Sequence, residues 1–275
     1  MSLQTASRKA AKDLFQRHPQ LKNNRAFYEL QRRRGFRDVR LRPELTKRKD
    51  LLEQLADKGV VVVPDYFPRT EVDGMLKAAE ETIEKARRAE LGDAAYSGEE
   101  QGFMWRVKDA DEMVPETSPF FEDETIASVF RAYVSPRIAE FRHEIDYRFG
   151  VGEVGQADLF HFDNWRPLCK AFLYLVDVGE KNAPFAYLTG SHRQAKWRRP
   201  HEIAFDVHGR KGRFGHLFPQ EVRELRKEHP DWEERVCTGG AGTLILADLR
   251  GLHRGTPLQE GRRVLLNNTF DLMNA

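Results

Sequence analysis

The chain is short of cysteine, of net charge and of long apolar runs, and each shortage removes a class of protein. Two cysteines among 275 residues, Cys169 and Cys237, cannot staple a secreted scaffold and fit a reducing cytoplasm. No stretch approaches the roughly 18 consecutive apolar residues of a membrane span, so a membrane-spanning class is not expected. The opening MSLQTASRKAAKDLFQRH also lacks the apolar core of a secretory signal. With 45 basic against 43 acidic residues, the net charge of +2 gives no electrostatic reason to expect a nucleic-acid partner. Internal repeats and low-complexity runs are missing as well.

What is present divides into a basic beginning and a longer remainder. Residues 1–50 carry Arg32-Arg33-Arg34 and Lys47-Arg48-Lys49 beside Leu14, Phe27, Tyr28 and Leu30. That mixture predicts a helical extension with one charged face and one face packed on the main domain. Residues 51–275 are enough for one core. Leu51 to Lys58 predicts a helix ended by Gly59, and Val60 to Val63 a strand stopped by Pro64. Arg69 to Leu91 and Glu124 to Val134 predict two further helices. Short strands follow: Glu144 to Phe149, Ala157 to His161, Lys170 to Val176, Phe185 to Leu188, Gly242 to Ala247 and Arg263 to Phe270, with Phe103 to Val107 as an earlier candidate. Helices first and strands later predict a mainly β barrel or sandwich braced by helices. Gly150 to Gly155 satisfies GxGxxG, but it leads into a strand and not into a helix whose N-terminus could hold a pyrophosphate, so it reads as a turn.

The chemistry is carried by His161-Phe162-Asp163 and the distant His253. In a strand, alternate residues share a face, so His161 and Asp163 would point together while Phe162 packs behind them. Two histidines and a carboxylate can occupy one face of an octahedral Fe(II) ion and leave the other positions open. An HxD tripeptide also arises by chance as an ordinary strand end. His253 adds weight because it follows the apolar strand Gly242 to Ala247, where a barrel would open. Arg262 and Arg263 then begin an otherwise apolar strand, and alternation turns one of them inward, where a buried guanidinium requires an anion such as a carboxylate.

Taken together, His161-Phe162-Asp163-Asn164-Trp165, Lys170 to Leu175, Gly190-Ser191-His192-Arg193 and Gly251-Leu252-His253-Arg254-Gly255 closing on Arg262 resemble the phytanoyl-CoA dioxygenase family, over roughly residues 55 to 272. The resemblance implies a double-stranded β-helix (jelly-roll, cupin-like) with flanking helices, and Fe(II), 2-oxoglutarate and O2 as cofactor and co-substrates. It matches His161, Asp163 and His253 to the iron ligands, and Arg262 to the arginine on the distal carboxylate of 2-oxoglutarate, with Arg263 competing. Phe172 falls where members place an aromatic beside the co-substrate. Lys170 and Tyr174 would share its face, although Lys170 could equally point to solvent. Arg106 stands near where members use a lysine on 2-oxoglutarate. Gly255 replaces a serine that some members offer, so Thr256 would have to substitute. Ser191 and His192 belong to the family's Gly-Ser-His turn, a structural element.

The implied reaction converts 2-oxoglutarate to succinate and CO2 while oxidising a small organic substrate. Related halogenases replace the carboxylate ligand by a small residue, so Asp163 points to hydroxylation or a similar oxidation. Trp165, Arg166, Trp197, Arg198 and Arg199 could favour an anionic substrate at the entrance, or be stacked surface structure; nothing requires a CoA ester. His201, His208 and His216 read as surface residues of a polar insertion. Two other readings stay open: a metal-dependent hydrolase or isomerase without 2-oxoglutarate, and a non-catalytic binding protein using its basic N-terminal segment.

Overall fold

The computed structural model describes residues 39–97, 103–163, 167–193, 196–200 and 215–272. The predicted basic extension therefore lies almost wholly outside the described residues, as do Trp165, Arg166, His201 and His208. Where the chain enters at Arg40 and Arg42, it is tied by backbone hydrogen bonds to the carbonyls of Val134 and Ala132.

Helix α1 (Lys49–Lys58) is followed by β1 (Val60–Val63) and the long α2 (Arg69–Arg87). Strands β2 (Ala95–Ser97) and β3 (Met104–Lys108) precede α3 (Glu124–Tyr133), whose Asp123 cap accepts the N–H groups of Thr125 and Ile126. Then come β4 (Ala139–Arg148), β5 (Leu168–Tyr174), β6 (Phe185–Leu188), α4 (Pro219–Glu228), β7 (Glu234–Cys237), β8 (Leu244–Asp248), β9 (His253–Gly255) and β10 (Arg263–Asp271). The strands form an antiparallel seven-stranded sheet, β1-β8-β5-β10-β4-β3-β2, and a three-stranded sheet, β7-β6-β9. Facing one another, they make the expected double-stranded β-helix.

Period-two alternation explains the layers. Ala171 and Leu173 of β5, Leu244 and Leu246 of β8, and Val264, Leu266 and Phe270 of β10 face Leu52, Met75, Ile83 and Phe130 of the helices. Their neighbours Phe172, Tyr174, Ile245, Ala247 and Leu265 turn the other way, into an apolar layer shared with Phe185 and Tyr187 of the small sheet. Covered on both sides, β10 is buried at every position. A third cluster, Phe162, Leu188, Trp197, Leu217, Val222, Trp232 and Leu252, lies beneath α4.

Most predicted elements form, with one informative exception. The expected strand Ala157 to His161 is replaced by a 3-10 turn, Gln156–Asp158. The Asp158 carboxylate accepts the Gly155 N–H at 2.8 Å and pairs with both terminal nitrogens of Arg148 at 2.7 and 2.8 Å, so a side chain captures backbone that a strand would need. Helix α4 is mostly charged, with little apolar stripe, and the strands β2, β7 and β9 span only three or four positions, so none of them shows a readable period in the sequence.

Outside the barrel interior, His143 of β4 bridges two acids. Its Nδ1 lies 2.9 Å from Asp111 Oδ2, and its Nε2 lies 3.5 Å from Glu140 Oε2, an ion-pair distance without a well-aligned hydrogen bond. Burial opposes the charged ring, but the two carboxylates outweigh it and raise the pKa above its ordinary 6.5. A group whose pKa is raised by folding stabilises the fold fully below its unfolded value, and loses that contribution as pH rises through the folded value. The melting-temperature difference between wild type and His143→Gln should thus be larger at pH 5.5 than at pH 9; an equal difference at both would contradict the bridge.

Candidate metal centre

The centre is assembled by backbone before any side chain contributes. His161 and His253 form an isolated antiparallel bridge in which each N–H donates to the other's carbonyl at 2.9 Å. His253 opens β9, which pairs with β6 through Tyr187. Ser191 secures the preceding residue: its hydroxyl donates to the Leu188 carbonyl at 2.6 Å and accepts the Leu252 N–H at 2.8 Å. The Asp163 N–H donates to the Leu249 carbonyl at 3.0 Å. Phe162 is fully buried in the third cluster, so its neighbours His161 and Asp163 emerge together on the opposite side even without a regular strand.

Three donor atoms converge as a result. Asp163 Oδ1 is 3.4 Å from His161 Nε2 and 3.4 Å from His253 Nε2. All the ligating atoms fall within 4.8 Å of one another. His161 Nδ1 lies 2.8 Å from the Leu159 carbonyl and His253 Nδ1 lies 3.0 Å from the Gly251 carbonyl. A carbonyl can only accept, so each Nδ1 carries the proton and each Nε2 presents its lone pair to the centre. Burial and the nearby His161 push the His253 pKa down to about 4, which keeps the ring neutral at neutral pH. For Asp163, burial raises the pKa, but Lys170 Nζ, 2.8 Å from Oδ2, and the two histidines hold it well below the usual carboxylate range. Two imidazole nitrogens and one carboxylate oxygen on one side are the donor set of a facial triad, and the residues fit a divalent iron ion.

A cavity opens beside the triad, lined by Arg106, Lys170, Phe172, Phe185, Leu265 and Arg263 among others. The assignment of Arg262 as its arginine is corrected here. Arg262 is half exposed and ion-paired with Glu80 of α2. Arg263, one residue on, takes the inward side of β10 with Leu265 and Asn267. Its guanidinium is buried and donates to the Ala183 carbonyl, while its Nε has no partner among the described residues. Burial accordingly lowers its pKa.

The remaining candidates separate cleanly. Phe172 packs on Phe185 at 5.1 Å between ring centroids and lines the cavity. Lys170 points inward, not to solvent, but onto Asp163. Arg106 lines the cavity with its Nε donating to Asp146 Oδ1 at 2.9 Å. Thr256 does not take the place of the missing serine, because its N–H and its hydroxyl both engage the Pro184 carbonyl at 3.1 Å. Tyr174 donates to the Cys237 carbonyl, and His192 contacts the Ala56 carbonyl; both are structural. Trp197 and Arg198, expected at an entrance, are buried and bonded to the carbonyls of Ser191 and Arg250.

Two features were not legible in the sequence. His216, read as a surface residue, stacks on His161 with ring centroids 4.7 Å apart. It is brought there by backbone bonds from Phe162 N–H to the Gly215 carbonyl and from Leu217 N–H to the Phe160 carbonyl. At the end of β8, the fully buried Asp248 accepts from Tyr133 at 2.7 Å and from Arg250 Nε at 2.9 Å; burial raises its pKa, and these partners more than reverse that. The sequence signal for Gly215 was only its glycine. Its φ is +66°, and a Cβ there would lie 2.0 Å from the Phe162 carbonyl oxygen. Gly215→Ala should displace the segment bearing His161 and Asp163 and weaken Mn(II) binding, measured from the free-ion electron spin resonance signal. Undiminished binding would show that this approach is not required.

Comparison with known proteins agrees with the geometry. No curated protein matches the sequence. Among solved structures, EctD from S. alaskensis with 2-oxoglutarate and 5-hydroxyectoine is 18% identical with a TM-score of 0.62, covering 85% of this chain and 82% of that one. The non-heme α-ketoglutarate-dependent carbocyclase SnoK from nogalamycin biosynthesis is 16% identical with a TM-score of 0.56, covering 81% and 83%. AviO1 from Streptomyces viridochromogenes Tue57 is 16% identical with a TM-score of 0.55, covering 82% and 95%. At these identities the likeness is one of fold. The phytanoyl-CoA dioxygenase (PhyH) family model matches residues 55–263, the greater part of the chain. The match spans both halves of the triad and the inward arginine, and the chain belongs to the phytanoyl-CoA dioxygenase family.

Proposed function

We propose that the protein is an Fe(II)- and 2-oxoglutarate-dependent oxygenase that hydroxylates a small organic substrate. His161, Asp163 and His253 would hold the iron, and Arg263 would bind the distal carboxylate of 2-oxoglutarate. When bound, iron with 2-oxoglutarate and O2 supplies the oxidising power, and succinate and CO2 are released.

The observation that carries this reading is Arg263: a buried cation that lines the cavity beside the triad, with an Nε unpartnered among the described residues. A guanidinium so placed is completed by a carboxylate, to which it can donate two parallel hydrogen bonds. A hydrolase or isomerase of the same fold would supply an internal acid for it, whereas Arg263 donates to a carbonyl. Phe172, Phe185 and Leu265 flank the position and would exclude water from the chelated acid. Hydroxylation is the outcome proposed because Asp163 retains the third ligand. Structural relatives include a carbocyclase and an epimerase, so the fold itself permits other oxidations. Of the cations lining the cavity, Arg106 and Lys170 already face Asp146 and Asp163.

Turnover of 2-oxoglutarate should be iron-dependent and yield one succinate per molecule consumed. Arg263→Met should weaken 2-oxoglutarate binding by at least about 30-fold, the equivalent of roughly 2 kcal/mol for one partner of a buried charge pair. Arg262→Met should leave it unchanged. Loss confined to the Arg262 variant, or iron-dependent chemistry without succinate, would overturn the assignment.

A further inference from the structure

We propose that Lys170 is a positioning residue that confines Asp163 to coordination through one oxygen, an inference that rests on the iron site described above. Lys170 Nζ is 2.8 Å from Asp163 Oδ2, whereas Oδ1 is the oxygen 3.4 Å from both histidine Nε2 atoms. The two carboxylate oxygens are thus already divided, one toward the donors and one toward the lysine. Both side chains are only 21% exposed, so little water competes for Oδ2.

The sheet builds this contact deliberately. On β5, Lys170 lies between Ala247 of β8 and Thr269 of β10, two small residues that leave a lane for its side chain along the inner face. On the other side, the Asp163 backbone is fixed by its hydrogen bond to Leu249. A charge-assisted hydrogen bond between two anchored groups holds the carboxylate plane as well as its charge.

The consequence concerns the number of open positions. A carboxylate bound through both oxygens takes two places on an octahedral ion and leaves two beside the histidines. A 2-oxo acid chelates through two atoms, so O2 would have nowhere to bind. One-oxygen coordination leaves three, enough for the chelate and O2 together. Without the lysine, Oδ2 has no other side-chain donor among the described residues and would turn to the metal.

Crystal structures of the Mn(II)-loaded wild type and of Lys170→Met test this directly, with Lys170→Arg as the conservative control. The expected result is one-oxygen coordination with Nζ on Oδ2 in the wild type, two-oxygen coordination in Lys170→Met, and recovery of the first in Lys170→Arg. In parallel, 2-oxoglutarate should still bind Mn(II)-loaded Lys170→Met, since two positions remain for its chelate. Two-oxygen coordination in the wild type, or one-oxygen coordination in Lys170→Met, overturns the clamp while leaving the iron site intact. Absence of Mn(II) from the triad in wild type would overturn the site and the clamp together. Should Lys170→Met not fold, the loaded wild type decides: Nζ still on Oδ2 supports the inference, and Nζ withdrawn refutes it.

Discussion

Two backbone hydrogen bonds between His161 and His253 are the constraint on which the rest of the site depends. They join segments far apart in the chain and bring two imidazoles and a carboxylate to one point without asking a side chain to reach. Much of the surrounding structure keeps that bridge in place. Phe162 anchors one segment in an apolar cluster, while the Ser191 hydroxyl ties the residue before His253 to the end of β6. Closing a loop of such length is entropically costly, and the packed sandwich on both sides of β5, β8 and β10 offsets it.

Charged groups are buried both inside the barrel and between the sheet and the helices, and their arrangement separates structure from function. Asp248 with Arg250 and Tyr133, Arg148 with Asp158, and Arg106 with Asp146 each pair a cation with a carboxylate, although Arg148 Nε has no partner among the described residues. Such pairs are costly to desolvate and costly to break, which suits them to fixing one geometry. Arg263 differs because no carboxylate among the described residues pairs with it: a carbonyl takes one end of its guanidinium and Nε is left without a partner among the described residues. A buried cation in that condition marks where a ligand completes the protein.

Much of this was readable from the residues, and the failures have physical causes. Helix α1 with its glycine stop, strand β6 to the residue, and the inward face of β5 follow from periodicity and turn chemistry. The triad was legible because HxD places two ligands one residue apart, which suffices whether the segment is a strand or the irregular bridge observed. The choice between Arg262 and Arg263 was not, since alternation says that one of two neighbours faces inward but not which; the pairing of Leu265 with Tyr174 settles the phase. His216 was missed because only a tertiary backbone contact beside the insertion brings it to His161. Lys170 was underestimated for a similar reason: its inward lane exists only because Ala247 and Thr269 are its neighbours across the sheet.

The central claim is that one site binds iron through His161, Asp163 and His253 and 2-oxoglutarate through Arg263. Anaerobic titration of the purified protein with Fe(II) and then 2-oxoglutarate tests both halves at once. A weak visible charge-transfer band should appear that requires both additions and saturates at one 2-oxoglutarate per protein. A protein that binds Fe(II) at the triad yet develops no such band with 2-oxoglutarate would contradict it.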